Sequence, residues 1–246
     1  MARKTTSRRK SPRTRARKKG ASWFVRLLAL ILLVALLGAA YAWWRAQDWR
    51  PDETAYPDQG ALVSEADGAV NFRTLKGLGA DFAYIEASHG SEGQDRAFAD
   101  SLPAARAAGL QVGAVHVFDP CTLADGQSAN FVTMVPRDGE LLPPAIALRE
   151  TGDDCAERVT RAAIESELMT LVNQIEAHAG KPAILYVSEG FETRYGIANR
   201  IERNLWLKSN WFEPEYADRP WLLWTANDAL PTEAADDPLA WVVVRP

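Results

Sequence analysis

The feature that most constrains this chain is the stretch from Leu27 to Trp44, 18 consecutive residues without a charge. With Trp23, Phe24 and Val25 ahead of Arg26, it is long enough as a helix to cross the roughly 30 Å hydrocarbon layer of a bilayer. It divides the chain into parts that cannot share one core. Ahead of it, residues 1–26 carry eleven Lys/Arg and no acid. Behind it, 17 basic residues face all 32 acidic ones, so a formal charge of −4 conceals a basic tail joined to a segment of net −15.

Basic residues beside an apolar span stay on the cytoplasmic side. Residues 1–22 are therefore expected to form a cytoplasmic tail, and residues 23–44 a single-pass signal anchor in the inner membrane. Everything after them is expected in the periplasm or outside the cell. Arg26 can snorkel to the headgroups, and Trp23 at one end and Tyr41, Trp43 and Trp44 at the other suit the interfaces. The alternative is a cleaved signal peptide with Ala40-Tyr41-Ala42 as its small-x-small site. The long basic region and the bulky Trp43 favour retention. The tail reads as a topology signal, with contact to nucleic acid or anionic lipid as the alternative. No nucleic-acid partner is expected.

The two cysteines, Cys121 and Cys155, both lie beyond the apolar run. In an oxidising compartment an even pair reads as one disulfide. A two-cysteine metal site is the alternative, but no histidine stands at ligand spacing from either. No metal is expected.

Residues 45–58, with Pro51 and Pro57, read as a linker. Residues 59–246 alternate strand-like and helix-like patterns. Strands are expected at 61–64, 81–87, 111–118, 144–148 and 182–188. Helices are expected at 71–79, 94–108, 127–135, 160–179 and 189–201. The helix over 160–179 carries Ala163, Ile164, Leu168, Leu171, Val172 and Ile175 on one stripe. Three strands, 204–207, 221–225 and 240–244, close the chain without helices between them. Nearly wholly apolar strands such as 111–118 mark burial on both faces. The pattern predicts an α/β fold, a TIM-like β/α barrel with an irregular last third, or else a doubly wound open sheet. No strand is followed by G-x-G-x-x-G or a P-loop, so no nucleotide cofactor is expected.

Motifs in order along residues 56–246 sharpen this. Tyr56-Pro57-x-Gln59-Gly60-x-x-Val63-Ser64 resembles Y-P-x-Q-G-x-D-V-S of the glycoside hydrolase family 25 lysozymes. The segment from Gly79 to Gly90 is similar to G-V-D-F-x-Y-I-K-A-T-E-G. The segment from Ala108 to Phe118 resembles A-G-L-x-x-G-A-Y-H-F-F. Gln127-Ser128-Ala129-Asn130-Phe131 fits Q-A-x-N-F, and Leu142 to Glu150 resembles L-P-P-x-x-D-x-E. The segments Pro182 to Val187, Leu205-Trp206-Leu207 and Leu223-Trp224 match the later strands. The resemblance implies an eight-stranded barrel with fewer helices than a full TIM barrel. It also implies peptidoglycan as ligand, and hydrolysis of the bond after N-acetylmuramic acid as the family reaction.

That reaction needs a carboxylic acid to protonate the leaving oxygen. It also needs a second negative group, or the substrate's acetamido oxygen, to support the oxocarbenium-like centre. Carried across by motif, the family's acids fall on Leu62, Ala147 and Arg149, and a last one loosely on Ala240. The Gln after the barrel Trp falls on Thr225, the Tyr of A-Y-H-F on Val115 and the Glu of A-T-E-G on His89. Losing a positioned general acid alone costs about 10²–10⁴-fold. The chain is therefore expected to bind cell-wall glycan without cleaving it. The alternatives are a weak N-acetylmuramidase using a displaced acid, Glu150 or Glu65, and a protein-interaction platform of the envelope.

Successive strand side chains face opposite ways. Glu150 is therefore expected to point away from the barrel axis if Ala147 and Arg149 face it, unless a bulge re-aims it. An ion pair between Glu86 and Arg149 is expected across the barrel mouth. His116 is expected to line the core or a pocket, with acid–base roles for His116 and His89 as the alternative. Ser64 and Ser188 end strands but lack a G-x-S-x-G elbow. Tyr84, Phe118, Tyr186, Trp206 and Trp224 are expected to gather at one end of the barrel and, with His116, to contact sugar rings.

Overall fold

The computed structural model describes residues 23–246, so the tail expected over residues 1–22 lies outside the described residues. Two compact units result, divided between Arg45 and Ala46. The first holds most of α1 (Trp23–Gln47), a 25-residue helix with no buried residue, long and apolar enough to cross a membrane.

The second unit is built on nine strands, β1 (Gln59–Val63), β2 (Phe82–His89), β3 (Gly93–Gln94), β4 (Gln111–Val117), β5 (Ala145–Leu148), β6 (Ile184–Val187), β7 (Asn204–Lys208), β8 (Leu223–Leu230) and β9 (Leu239–Val244). Their order is β1-β9-β8-β7-β6-β5-β4-β2-β3, and a further β1–β2 pairing closes eight of them into a barrel. Neighbours around the barrel are parallel except β9, which runs antiparallel to both β8 and β1. β3 is a short antiparallel return on β2.

Five helices connect the strands: α2 (Phe72–Gly77), α3 (Phe98–Ala107), α4 (Ala124–Met134), α5 (Arg161–Ala179) and α6 (Glu189–Tyr195). No helix lies between β7 and β8 or between β8 and β9, which is the irregular last third expected from the sequence. Their ends are set locally. The Thr160 side chain accepts from Ala163 N at the start of α5, and Gly180 ends it at φ 68°, where a side chain would be strained. Ile164, Leu168, Leu171, Val172 and Ile175 of α5 are buried, as their spacing predicts. The helix expected from Gln94 instead starts at Phe98. Gln94 is held in β3, its amide donating to Asn130 Oδ1 at 3.2 Å, and Asp95 Oδ1 accepts from Ala97 N at 2.8 Å. That turn occupies the donors a longer helix would need.

Strand alternation sorts the core into two groups. Leu62, Tyr84, Val115, Ala147, Tyr186, Trp206, Leu223 and Val242 belong to the cluster inside the barrel. Ala61, Ile85, Ala114, Ile146, Leu185, Leu205, Trp224 and Trp241 face outward into the larger layer shared with the helices. Gly113 faces inward under Tyr84, and a Cβ there would overlap the Tyr84 ring. Cys121 and Cys155 form the expected disulfide, tying the β4–α4 connection to the β5–α5 connection.

Residues 46–58 join α1 to β1 and bond to the barrel along the way. Asn227 Nδ2 donates to Gln47 O and Trp49 O at 2.9 Å each, and Gln59 Nε2 donates to Pro51 O at 3.1 Å. Arg50 Nη1 donates to Leu78 O at 2.6 Å.

Candidate functional site

Parallel strands deliver their following loops to one end of a barrel, and in barrels of this class chemistry gathers there. At this end Ala147 turns inward, and Arg149, two residues on, follows it. The Arg149 guanidinium places Nη2 2.6 Å from Glu86 Oε1 and lies over the Tyr186 ring, 5.3 Å from its centroid. This is the ion pair expected from the sequence. Tyr186 stacks on Trp206 at 4.5 Å and 17°. Trp206 Nε1 donates to Thr225 Oγ1 at 2.8 Å, and Thr225 Oγ1 stands 3.5 Å from Tyr186 Oη. A column of Glu86, Arg149, Tyr186, Trp206 and Thr225 thus runs from the mouth into the barrel. The parts played by Tyr186 beneath the guanidinium and by Thr225 were not read from the sequence. The signal for Thr225 was the two-residue period, which turns Leu223 and Thr225 inward together.

Two of the positions where the motif carries acids, those of Leu62 and Ala147, are apolar and buried. Leu62 and Ala147 lie in the barrel interior, and Leu62 is paired across β1–β9 with Ala240. Among the described residues the strands carry two acids, Glu86 and Asp228. Glu86 is engaged by Arg149, and Asp228 is held by Lys208 Nζ at 3.0 Å and Asn210 Nδ2 at 2.8 Å.

The substitute acids lie at the rim. Glu150 Oε1 is 3.3 Å from His89 Nε2, with both side chains about half exposed. Glu65 sits in a short 3-10 turn after β1, its Oε2 accepting from Arg96 N at 3.1 Å. The two serines cap backbone. Ser64 donates its hydroxyl to Asp67 Oδ2, and Ser188 Oγ accepts from Phe191 N at the start of α6.

The structure divides the six expected sugar contacts. Tyr84, Tyr186 and Trp206 are inside the barrel. His116, Phe118 and Trp224 are not, and this corrects the expectation of one cluster. The cause is the strand period. Val115 and Val117 face inward, so His116 and Phe118 face out, as does Trp224 beside inward-facing Leu223. Phe118 packs against Phe191, and Trp224 against Trp49, Tyr56 and Trp221.

His116 is fully buried between Ser88 Oγ, 2.8 Å from Nδ1, and Gln127 Oε1, 3.2 Å from Nε2. Gln127 donates its amide N–H groups to Asp119 O and Thr122 O, so its oxygen faces the ring. His116 therefore donates from Nε2 and accepts the Ser88 hydroxyl at Nδ1. Burial pushes its pKa down to about 4, and the neutral ring ties β4 to α4. Burial likewise pushes the Tyr84 phenol up, and its hydroxyl donates to Pro143 O at 3.1 Å.

A cavity of about 250 Å³, lined in part by Phe82, Tyr84, Leu142, Pro143 and Ile184, opens at the opposite end, where the strands begin. Among the described residues no cluster of His, Cys, Asp or Glu is suited to a metal ion.

Comparison with known proteins agrees with this architecture. The family model described as Glycosyl hydrolases family 25 matches residues 63–229. The uncharacterized protein YegX of Escherichia coli K12 is 22% identical over 192 residues, spanning 75% of this chain and 68% of that protein. A family 25 glycosyl hydrolase from Bacillus anthracis superposes with a TM-score of 0.73 at 24% identity, over 81% of this chain and 93% of that one. A bacterial lysozyme from Streptomyces coelicolor gives 0.67 at 19%, over 77% and 92%. A family GH25 lysozyme from Aspergillus fumigatus gives 0.65 at 19%, over 77% and 94%.

Proposed function

The chain belongs to glycosyl hydrolases family 25, and from that premise we propose that it binds the glycan of peptidoglycan without cleaving it. It does so on the outer side of the inner membrane, held there by α1. The observation that carries this reading is the chemistry of the mouth. Leu62, Ala147 and Arg149 occupy the acid positions, and the strand carboxylate beside them, Glu86, is bound to Arg149 at 2.6 Å. Glycosidic cleavage requires a proton-donating carboxylic acid and a second negative group, or the substrate's own acetamido oxygen. A mouth with an aliphatic floor and a paired carboxylate offers neither protein group, while membership of the family and the part-open Arg149 at the mouth support glycan binding.

The anchor follows from α1, which is long and apolar enough to span a bilayer. The eleven basic residues ahead of the apolar run orient the barrel away from the cytoplasm. Peptidoglycan and the inner membrane are thus the partners.

Two assays test this. Purified protein should leave the turbidity of a cell-wall suspension unchanged and should sediment with insoluble peptidoglycan. Clearing that disappears in Glu150→Gln would overturn the reading. It would establish the alternative of a weak muramidase, which the exposed Glu150–His89 pair at the rim favours. Failure to sediment would instead leave the barrel as a platform for envelope proteins.

A further inference from the structure

We infer that the barrel mouth selects glycan bearing a carboxylate, with the Arg149 guanidinium as the group that holds it. The inference rests on the glycan-binding reading above and specifies what the mouth recognises. Its basis is the geometry of a single cation. A guanidinium offers five N–H donors in a rigid fork that matches a carboxylate two bonds at a time. Nη2 is engaged by Glu86 Oε1, and Arg149 makes no other hydrogen bond among the described residues. Its side chain is 37% exposed against 18% for Glu86, so the cation is the more open member of the pair.

The surroundings fix that fork, and Glu86 is the carboxylate with which an incoming anion competes. The Tyr186 ring lies beneath it and is itself braced by the Trp206 stack. Ala147 and Leu62 put methyl groups where acids would repel an incoming carboxylate. The one Lys or Arg that the strands carry among the described residues, Lys208, is tied to Asp228 at 3.0 Å. In a segment of net −15, Arg149 is thus a cation at the barrel mouth whose charge Glu86 balances. Glu86 acts as its resident counter-ion, which an incoming carboxylate joins or displaces.

Cell-wall glycan differs from a neutral amino-sugar chain in this respect. Alternate sugars carry a lactyl ether ending in a carboxyl group, either free or extended by a peptide stem that carries carboxylates of its own. Both sources present the same chemistry to the fork.

Calorimetric titration of the full chain in detergent separates the possibilities. The probes are N-acetylglucosaminyl-N-acetylmuramic acid, its lactyl methyl ester, the same disaccharide carrying L-Ala-D-Glu, the dimethyl ester of that compound, and N,N′-diacetylchitobiose. At least one free acid should bind about tenfold more tightly than its own ester, the range of a charge-assisted bond. Which acid does so assigns the carboxylate to the sugar or to the stem. Arg149→Gln should bring acid and ester to within about twofold of each other, and Arg149→Lys should keep part of the preference, since the charge remains and the fork is lost. Glu86→Gln should strengthen binding of the preferred acid by removing its competitor. Acids and esters bound equally, with affinity unmoved in Arg149→Gln and Arg149→Lys, would overturn the inference and leave glycan binding standing. Binding of no probe, diacetylchitobiose included, would overturn both.

Discussion

The indole N–H of Trp206 ends on Thr225 Oγ1, and both residues are fully buried. Thr225→Val keeps the volume and removes the acceptor, so a buried donor is left unsatisfied at a cost of about 1–3 kcal/mol. Denaturant unfolding should show that loss, and Thr225→Ser should recover most of it. His116 makes a second residue-scale prediction. Its folded-state pKa of about 4 lies below the ordinary histidine value of 6.5. The unfolded chain therefore binds the proton first as pH falls. The contribution of the neutral ring is complete above pH 6.5 and declines between 6.5 and 4, at up to about 1.4 kcal/mol per pH unit. Melting temperature followed across that window should slope downward toward acid, and His116→Gln should flatten the slope. The inward placing of Leu62 and Ala147, two of the positions where the resemblance puts acids, is legible in the two-residue period of their strands. The outward placing of Phe118 and Trp224 was not used, although the two-residue period encodes it. Counting from inward Val115 and Leu223 gives it directly.

At the scale of elements, α5 was readable to within a residue because its signals are local: Thr160 before it, Gly180 after it and one apolar stripe between. The start of α3 was not, since it depends on β3 pairing with β2 and on Asn130 of α4 accepting from Gln94. The Gln94–Asn130 bond spans 36 residues, and neither it nor the short β2–β3 return carries a periodic mark. The disulfide joins the connections ahead of α4 and α5 and spans 34 residues. On the chain-entropy account, closing such a loop contributes about 4 kcal/mol. A chain with Cys121→Ser and Cys155→Ser should melt well below the parent, and a reductant should lower the parent toward it while leaving the variant unmoved. Strand β4 gives a sharper test. Gly113→Ala drives a methyl group into the Tyr84 ring inside a closed barrel, and overpacking of that kind costs about 1–3 kcal/mol. Gly109→Ala, with open space around its Cβ but φ at 81°, separates backbone strain from collision.

Across the whole molecule, barrel and apolar helix are both legible in the sequence, the first through motif order and the second through an uncharged run. What the sequence could not show is how the ring shuts. β9 lies between β8 and β1 and runs against both, so the last strand of the barrel seals the sheet against its first. A chain cut before Leu239 would leave β1 and β8 with bare, unpaired flanks, the kind of edge on which strands from other molecules assemble. Such a product should be recovered as aggregate, whereas a cut ahead of α1 should not have that effect. During synthesis the same geometry makes every earlier stage an unsealed ribbon. The half-made protein is therefore a natural client for holding chaperones until its final hairpin arrives.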